Sequence, residues 1–177
     1  EGLRAGWKIF LRKNVSGSFN QNYSEQTKKL EEYVGGSQIV AINDALRARY
    51  IAAADQFRKS EKPAIDALLS PKKQTPKDSV DAQLCRASQM LSKVEINISA
   101  RETAVEVFYR MVLILAQNKE RIFEDSYVWT SSMTNDCRFV AIGGFMQNGM
   151  AITAQYPNYK SKNGGVTCSR MLTAFRQ

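Results

Sequence analysis

Residues 134–146, "TNDCRFVAIGGFM", decide how the second half of this chain is read. Asn135 or Asp136 can cap a helix that carries Val140, Ile142 and Met146, although Gly143 and Gly144 weaken it. Read this way, Cys137 lies in the first helical turn, flanked by Asp136 and Arg138. Upstream, "EDSYVWTSSMTND" (124–136) interrupts that helix and a longer apolar one before it. Downstream, "YPNYKSKNGG" (156–165) reads as a loop and "VTCSRMLTAFRQ" (166–177) as a short terminal helix. No run alternates apolar and polar residues at convincing length. The expectation is a mainly α protein, an irregular helical linker with an extended N-terminal arm.

Working back from this stretch, "AVEVFYRMVLILAQNKERIF" (104–123) is apolar nearly all round in its middle, which predicts the central core helix. Ser99 and Glu102 have the spacing of a capping box before it. Val80, Leu84, Leu91, Val94 and Ile98 form a stripe at helical spacing. Residues 80–177 thus read as a C-terminal helical lobe holding every cysteine, with 71–79, "PKKQTPKDS", as a loop. Residues 23–70 read as an N-terminal helical lobe. Ser24 is the expected cap of its first helix and Gly35-Gly36 its end. Ser37 caps a second helix bearing Ile39, Ile42, Leu46, Tyr50, Ala53 and Phe57, and Pro63 opens a third. Residues 1–22 read as an extended arm with Trp7 and Phe10 as anchors.

The 177 residues carry a net charge of +8, which predicts an anionic partner. The cations are scattered in short groups, with no long basic tract and no pattern of aromatic and basic strands, so an acidic protein surface fits at least as well as nucleic acid. The longest apolar run, "MVLILA" (111–116), is too short to span a bilayer. There is no histidine, which removes the commonest general base, and the chain is expected to catalyse no reaction. The chain starts at Glu1, consistent with processing of a longer precursor.

The three cysteines are an odd number, without C-x-x-C or zinc spacing. Each has an arginine within two residues: Cys85 with Arg86, Cys137 with Arg138, Cys168 with Arg170. Asp81 lies one helical turn before Cys85, and Asp136 directly precedes Cys137. A linear tetrapyrrole asks for these three functions. A thiol adds to it as a thioether, arginines pair with its propionates, and a carboxylate gathers its pyrrole N–H groups. Two other readings share the same spacing: small buried structural cysteines, and thiols whose reactivity is raised by a neighbouring cation.

The run from "YSEQTKKLEEYVGGSQIVAINDALRARYIAAADQFRKS" through "CRASQMLSKVEINISARETAVEVFYRMVLILAQNKERIFEDSYVWTSSMTNDCRFVAIGGFMQNGMAI" resembles red-algal phycoerythrin gamma subunits, over most of the chain after Tyr23. The resemblance implies a basic linker in the central cavity of an acidic hexamer of phycoerythrin alpha and beta subunits, in contact with other rod linkers. It implies phycourobilin or phycoerythrobilin, thioether-linked at Cys85, Cys137 and Cys168. Arg86, Arg138 and Arg170 would meet propionates, and Asp81 and Asp136 the pyrrole nitrogens. The location implied is the chloroplast, in phycobilisomes on the stromal side of the thylakoid membrane. The chain is shorter than such subunits and has fewer cysteines.

Overall fold

A computed structural model describes residues 7–36, 44–70 and 77–172. Its helical half begins with a reciprocal cap. Asn22 accepts from the Glu25 amide at 2.9 Å, and Glu25 accepts from the Asn22 amide at 2.8 Å, so two donors at the start of α1 (Tyr23–Gly35) are satisfied together. The cap therefore lies two residues before Ser24, whose hydroxyl instead donates to Asp66 at 2.8 Å. Gly36 ends the helix as expected. Helix α2 (Asp44–Gln56) continues through a π-helical turn, Phe57–Glu61, into α3 (Lys62–Leu69), with Pro63 in its first turn. Ser37, Ile39 and Ile42 lie outside the described residues, as does most of the expected 71–79 loop.

Helices α4 (Lys77–Lys93), α5 (Glu95–Ala100) and α6 (Ala104–Asn118) follow. The capping box before α6 is Thr103 with Glu106, not Ser99 with Glu102. Ser99 lies within α5 and donates back to the Glu95 carbonyl at 2.7 Å.

Residues 127–155 overturn the expectation of a mainly α chain. They form β2 (Tyr127–Met133), β3 (Phe139–Met146) and β4 (Gly149–Gln155). With β5 (Gly164–Gly165) these make a four-stranded sheet in the order β4-β3-β2-β5, antiparallel except where β2 meets β5. The expected terminal helix is also extended. β6 (Ser169–Leu172) pairs antiparallel with β1 (Trp7–Phe10), so the N-terminal arm is a strand over residues 7–10 and turns and coil from there to α1. The fold is α/β with a mixed sheet.

The reason is that β2 and β3 are covered on both faces, so polar residues do not alternate with apolar ones there. Trp129 and Phe139 face a core shared with Tyr23 and Leu30 of α1 and Leu84 and Leu91 of α4. Val128 and Ile142 face the opposite way, onto Val107 and Met111 of α6. The two expected lobes thus share one core. The glycines that weakened the helical reading have a use in the sheet. A Cβ on Gly143 would lie 2.0 Å from the Ser126 carbonyl oxygen, and Gly144 sits at φ +56°.

Helix α6 is not the central helix. It covers one sheet face and leaves Val105, Phe108, Tyr109, Val112 and Leu113 exposed, with Tyr109 at 52%. Among the described residues no helix is long and apolar enough to cross a membrane.

Candidate functional site

The fold brings two of the three cysteine constellations to one place. Cys85 lies on α4, half-buried, with Asp81 half-buried on the same helix four residues earlier and Arg86 exposed beside it. Cys137 lies in the turn between β2 and β3, at φ +63°. Although 52 residues apart in sequence, the two have a Cα–Cα distance of 5.0 Å and are joined as a disulfide. The expected helical first turn around Cys137 is replaced by this hairpin turn.

The turn is held by its own side chains. The Cys137 amide donates to the Thr134 carbonyl at 3.0 Å, and the Thr134 amide donates to the Arg138 carbonyl at 2.8 Å. The Thr134 hydroxyl donates to the Asp136 carboxylate, and the Arg138 amide donates to the Thr134 hydroxyl oxygen at 3.1 Å. Arg138 pairs with Asp136 at 3.1 Å and lies over the Tyr156 ring, 5.0 Å from its centroid. The Thr134 hydroxyl, with help from Arg138, holds the exposed Asp136 carboxyl below its ordinary range. Asp136 is thus occupied by its neighbours and Arg138 shares its charge with them. On α4, Gln89 donates to the Cys85 sulfur at 3.7 Å.

Cys168 lies elsewhere. It is 3% exposed within the large core cluster, and its carbonyl accepts from the Leu11 amide at 3.2 Å, next to the strand pair β1–β6. The backbone of Arg170 pairs with Ile9 in β6, and its side chain lies outside the described residues. Trp129 is buried in the core at 1% exposure, and Tyr127 lines a cleft with Trp129, Tyr159 and Gln155.

Sequence reasoning missed the polar centre at the link between α5 and α6. Arg101 and Glu102 are both buried, and Glu102 takes Arg110 in a two-point pair at 3.0 and 2.7 Å. The signal available in sequence was slight: Arg110 lies on α6, eight residues after Glu102, which precedes that helix. Among the described residues no group of histidine, cysteine and carboxylate side chains could hold a metal ion. Compared with family models, with curated proteins and with solved structures, the chain matches none.

Proposed function

We propose that this chain is a light-harvesting linker, which performs no reaction of its own. In this reading it carries bilin at its cysteines and assembles acidic phycoerythrin alpha and beta subunits within a phycobilisome rod. Its place is the chloroplast, on the stromal side of the thylakoid. The observation that carries the reading is the convergence of Asp81, Cys85 and Arg86 with Asp136, Cys137 and Arg138 from 52 residues away. The functions that a bilin asks for, thiol, guanidinium and carboxylate, lie together where the β2–β3 turn meets α4, with Cys85 half-buried and Cys137 buried at 8% exposure.

The two sulfurs have two covalent states. Joined, they are a structural bridge. Reduced, as a reducing stroma favours, either thiol can add across an exocyclic double bond of a terminal pyrrole ring. The S–C bond forms and the thiol proton passes to the pigment carbon, so no oxidant is consumed. Arg86 is exposed and can meet a propionate, whereas Arg138 would have to exchange its exposed pair with Asp136 to do so. Cys168 would hold pigment only within the core. The assembly role is supported by the uncharged outer face of α6 and by the net charge of +8. The first needs cover from water, and the second selects an acidic partner.

A second reading, a colourless basic scaffold, is favoured by the disulfide itself. A bridge over 52 residues restricts the unfolded chain and contributes about 4 kcal/mol in the chain-entropy account. Intact mass of the purified protein separates the two. A linker carries the added mass of at least one tetrapyrrole and absorbs visible light, and Cys85→Ala removes one absorption component. A scaffold shows only the loss of two hydrogens, and Cys85→Ala lowers its stability by about 4 kcal/mol without changing any spectrum. A colourless protein of unmodified mass would overturn the pigment reading.

A further inference from the structure

We propose that β4 is a self-pairing edge, through which two copies of this chain join antiparallel, β4 to β4, about a two-fold axis at Ile152. The proposal does not rest on the pigment reading.

β4 closes one end of the sheet, and among the described residues its backbone bonds only to β3. A seven-residue strand with one side unpaired offers a row of N–H and C=O groups to any strand that approaches. Natural edges are protected by charges, prolines, shortness or a covering element. The opposite edge, β5, is only two residues long. β4, "GMAITAQ", carries no charged residue and no proline, and no residue along it is buried. Its register shift lies at the hairpin end, between Gly143 and Met146, and leaves the strand itself straight enough to pair.

The occupant follows from the symmetry of this strand. Ile152 is its midpoint, and at 62% it is the most exposed large apolar side chain among the described residues. It pairs across β3 with Ile142, which is buried under α6, so Ile152 stands on the α6 face of the sheet. A two-fold axis at Ile152 sets the two isoleucines side by side on that face. It also matches Ala151 with Thr153, Met150 with Ala154, and Gly149 with Gln155. None of these pairs brings like charges together, so two copies at +8 each can meet along this seam. A foreign strand added to β4 would leave its own far edge open. A second copy satisfies both edges at once and closes the assembly.

The test is sedimentation of the full chain over a range of concentrations and salt. The expected result is a monomer–dimer equilibrium that tightens as salt screens the net charge; a strict monomer throughout overturns the proposal. Ile152→Lys places two ammonium groups against each other and should weaken the dimer by about tenfold or more. Ile152→Glu should do the same. Because residue 152 meets its own copy, mixing the two variants should restore a heterodimer. Near-ultraviolet dichroism of the buried Trp129 checks that each variant is folded. Folded variants that dimerise as tightly as the parent exclude this seam, and a mixture that stays monomeric excludes the axis at Ile152.

Discussion

Two arginines nine residues apart are buried in this molecule by opposite means. Arg110, 4% exposed, spends its charge on a carboxylate. Its Nε and Nη2 donate to the two oxygens of Glu102, Nη1 donates to the Leu11 carbonyl, and Phe123 and Phe10 lie beneath the guanidinium at 5.1 and 5.6 Å. Arg101, 2% exposed, has no carboxylate among its hydrogen-bond partners in the described residues. It donates to Asn97 Oδ1 at 3.1 Å, Thr27 Oγ1 at 3.2 Å, the Trp129 carbonyl at 3.4 Å and Gln26 Oε1 at 3.5 Å, and it sits 3.8 Å from the centroid of the Tyr23 ring. One guanidinium is neutralised, and the other is solvated by a cage of neutral dipoles and a ring face. Both consume residues of the α5–α6 link, with Arg101 turned toward Gln26 and Thr27 of α1 and Glu102 toward Arg110 of α6 and Thr167. The Ser131 amide donates to the Glu102 carbonyl at 2.8 Å, which locks β2 onto the same link.

The largest effect is expected from breaking the neutralised site. Burial raises the Glu102 pKa and lowers that of Arg110, and each charge opposes the shift of the other. Glu102→Ala leaves the Arg110 guanidinium in the interior without its carboxylate, and also frees the Thr167 hydroxyl that donates to Glu102. The expected loss is about 3–5 kcal/mol, read from urea unfolding. Replacing both partners, with Glu102→Leu and Arg110→Met together, should recover most of it. A double variant no better than Glu102→Ala would mean that the site is held by its shape and not by its charges.

The neutral cage should break more gently. Burial lowers the Arg101 pKa, with the Tyr23 side chain acting against that shift. Arg101→Met removes a costly buried charge along with its hydrogen bonds, and orphans acceptors but no ion. The expected loss is about 1–3 kcal/mol, below that of Glu102→Ala. An equal or larger loss would show that neutral dipoles and a ring face hold a guanidinium as firmly as a carboxylate does.

These two sites also show where sequence could and could not lead. The helices α1, α3, α4 and α6 were legible because their apolar residues recur at three and four and because Gly36 and Pro63 punctuate them. The sheet was not, because strands buried on two faces lose the alternation that marks a strand, and "FVAIGGF" reads as an apolar helix that its glycines weaken without replacing. Thr103 with Glu106 fits the capping pattern as well as Ser99 with Glu102 does, and the spacing does not say that Ser99 falls inside α5 while Thr103 opens α6. The proximity of Cys85 to Cys137 lay beyond reach from sequence, because it depends on where a hairpin turn meets α4. That both cysteines sit beside an arginine and an acid was plain in the sequence itself.

The smallest and most specific effect concerns the ring under Arg101. Tyr23 is fully buried, stacked on Phe139 at 3.8 Å, and its hydroxyl donates to the Thr130 carbonyl at 2.9 Å. Burial pushes its pKa up from 10.0 to about 12, with Arg101 acting in the opposite sense. A raised pKa contributes stability that is complete below the unfolded value and is lost as pH rises through the folded one. Between 10.0 and about 12 the unfolded phenol releases its proton while the folded one keeps it, so stability falls with rising pH by up to about 1.4 kcal/mol per unit. Tyr23→Phe keeps the ring beneath the guanidinium and removes only the hydroxyl. It should cost about 1 kcal/mol at neutral pH and should flatten the alkaline loss. Urea midpoints at neutral pH and near pH ~11 give both numbers. If the variant loses as much stability in base as the parent, the alkaline sensitivity belongs to other groups, and the ring serves Arg101 through its face alone.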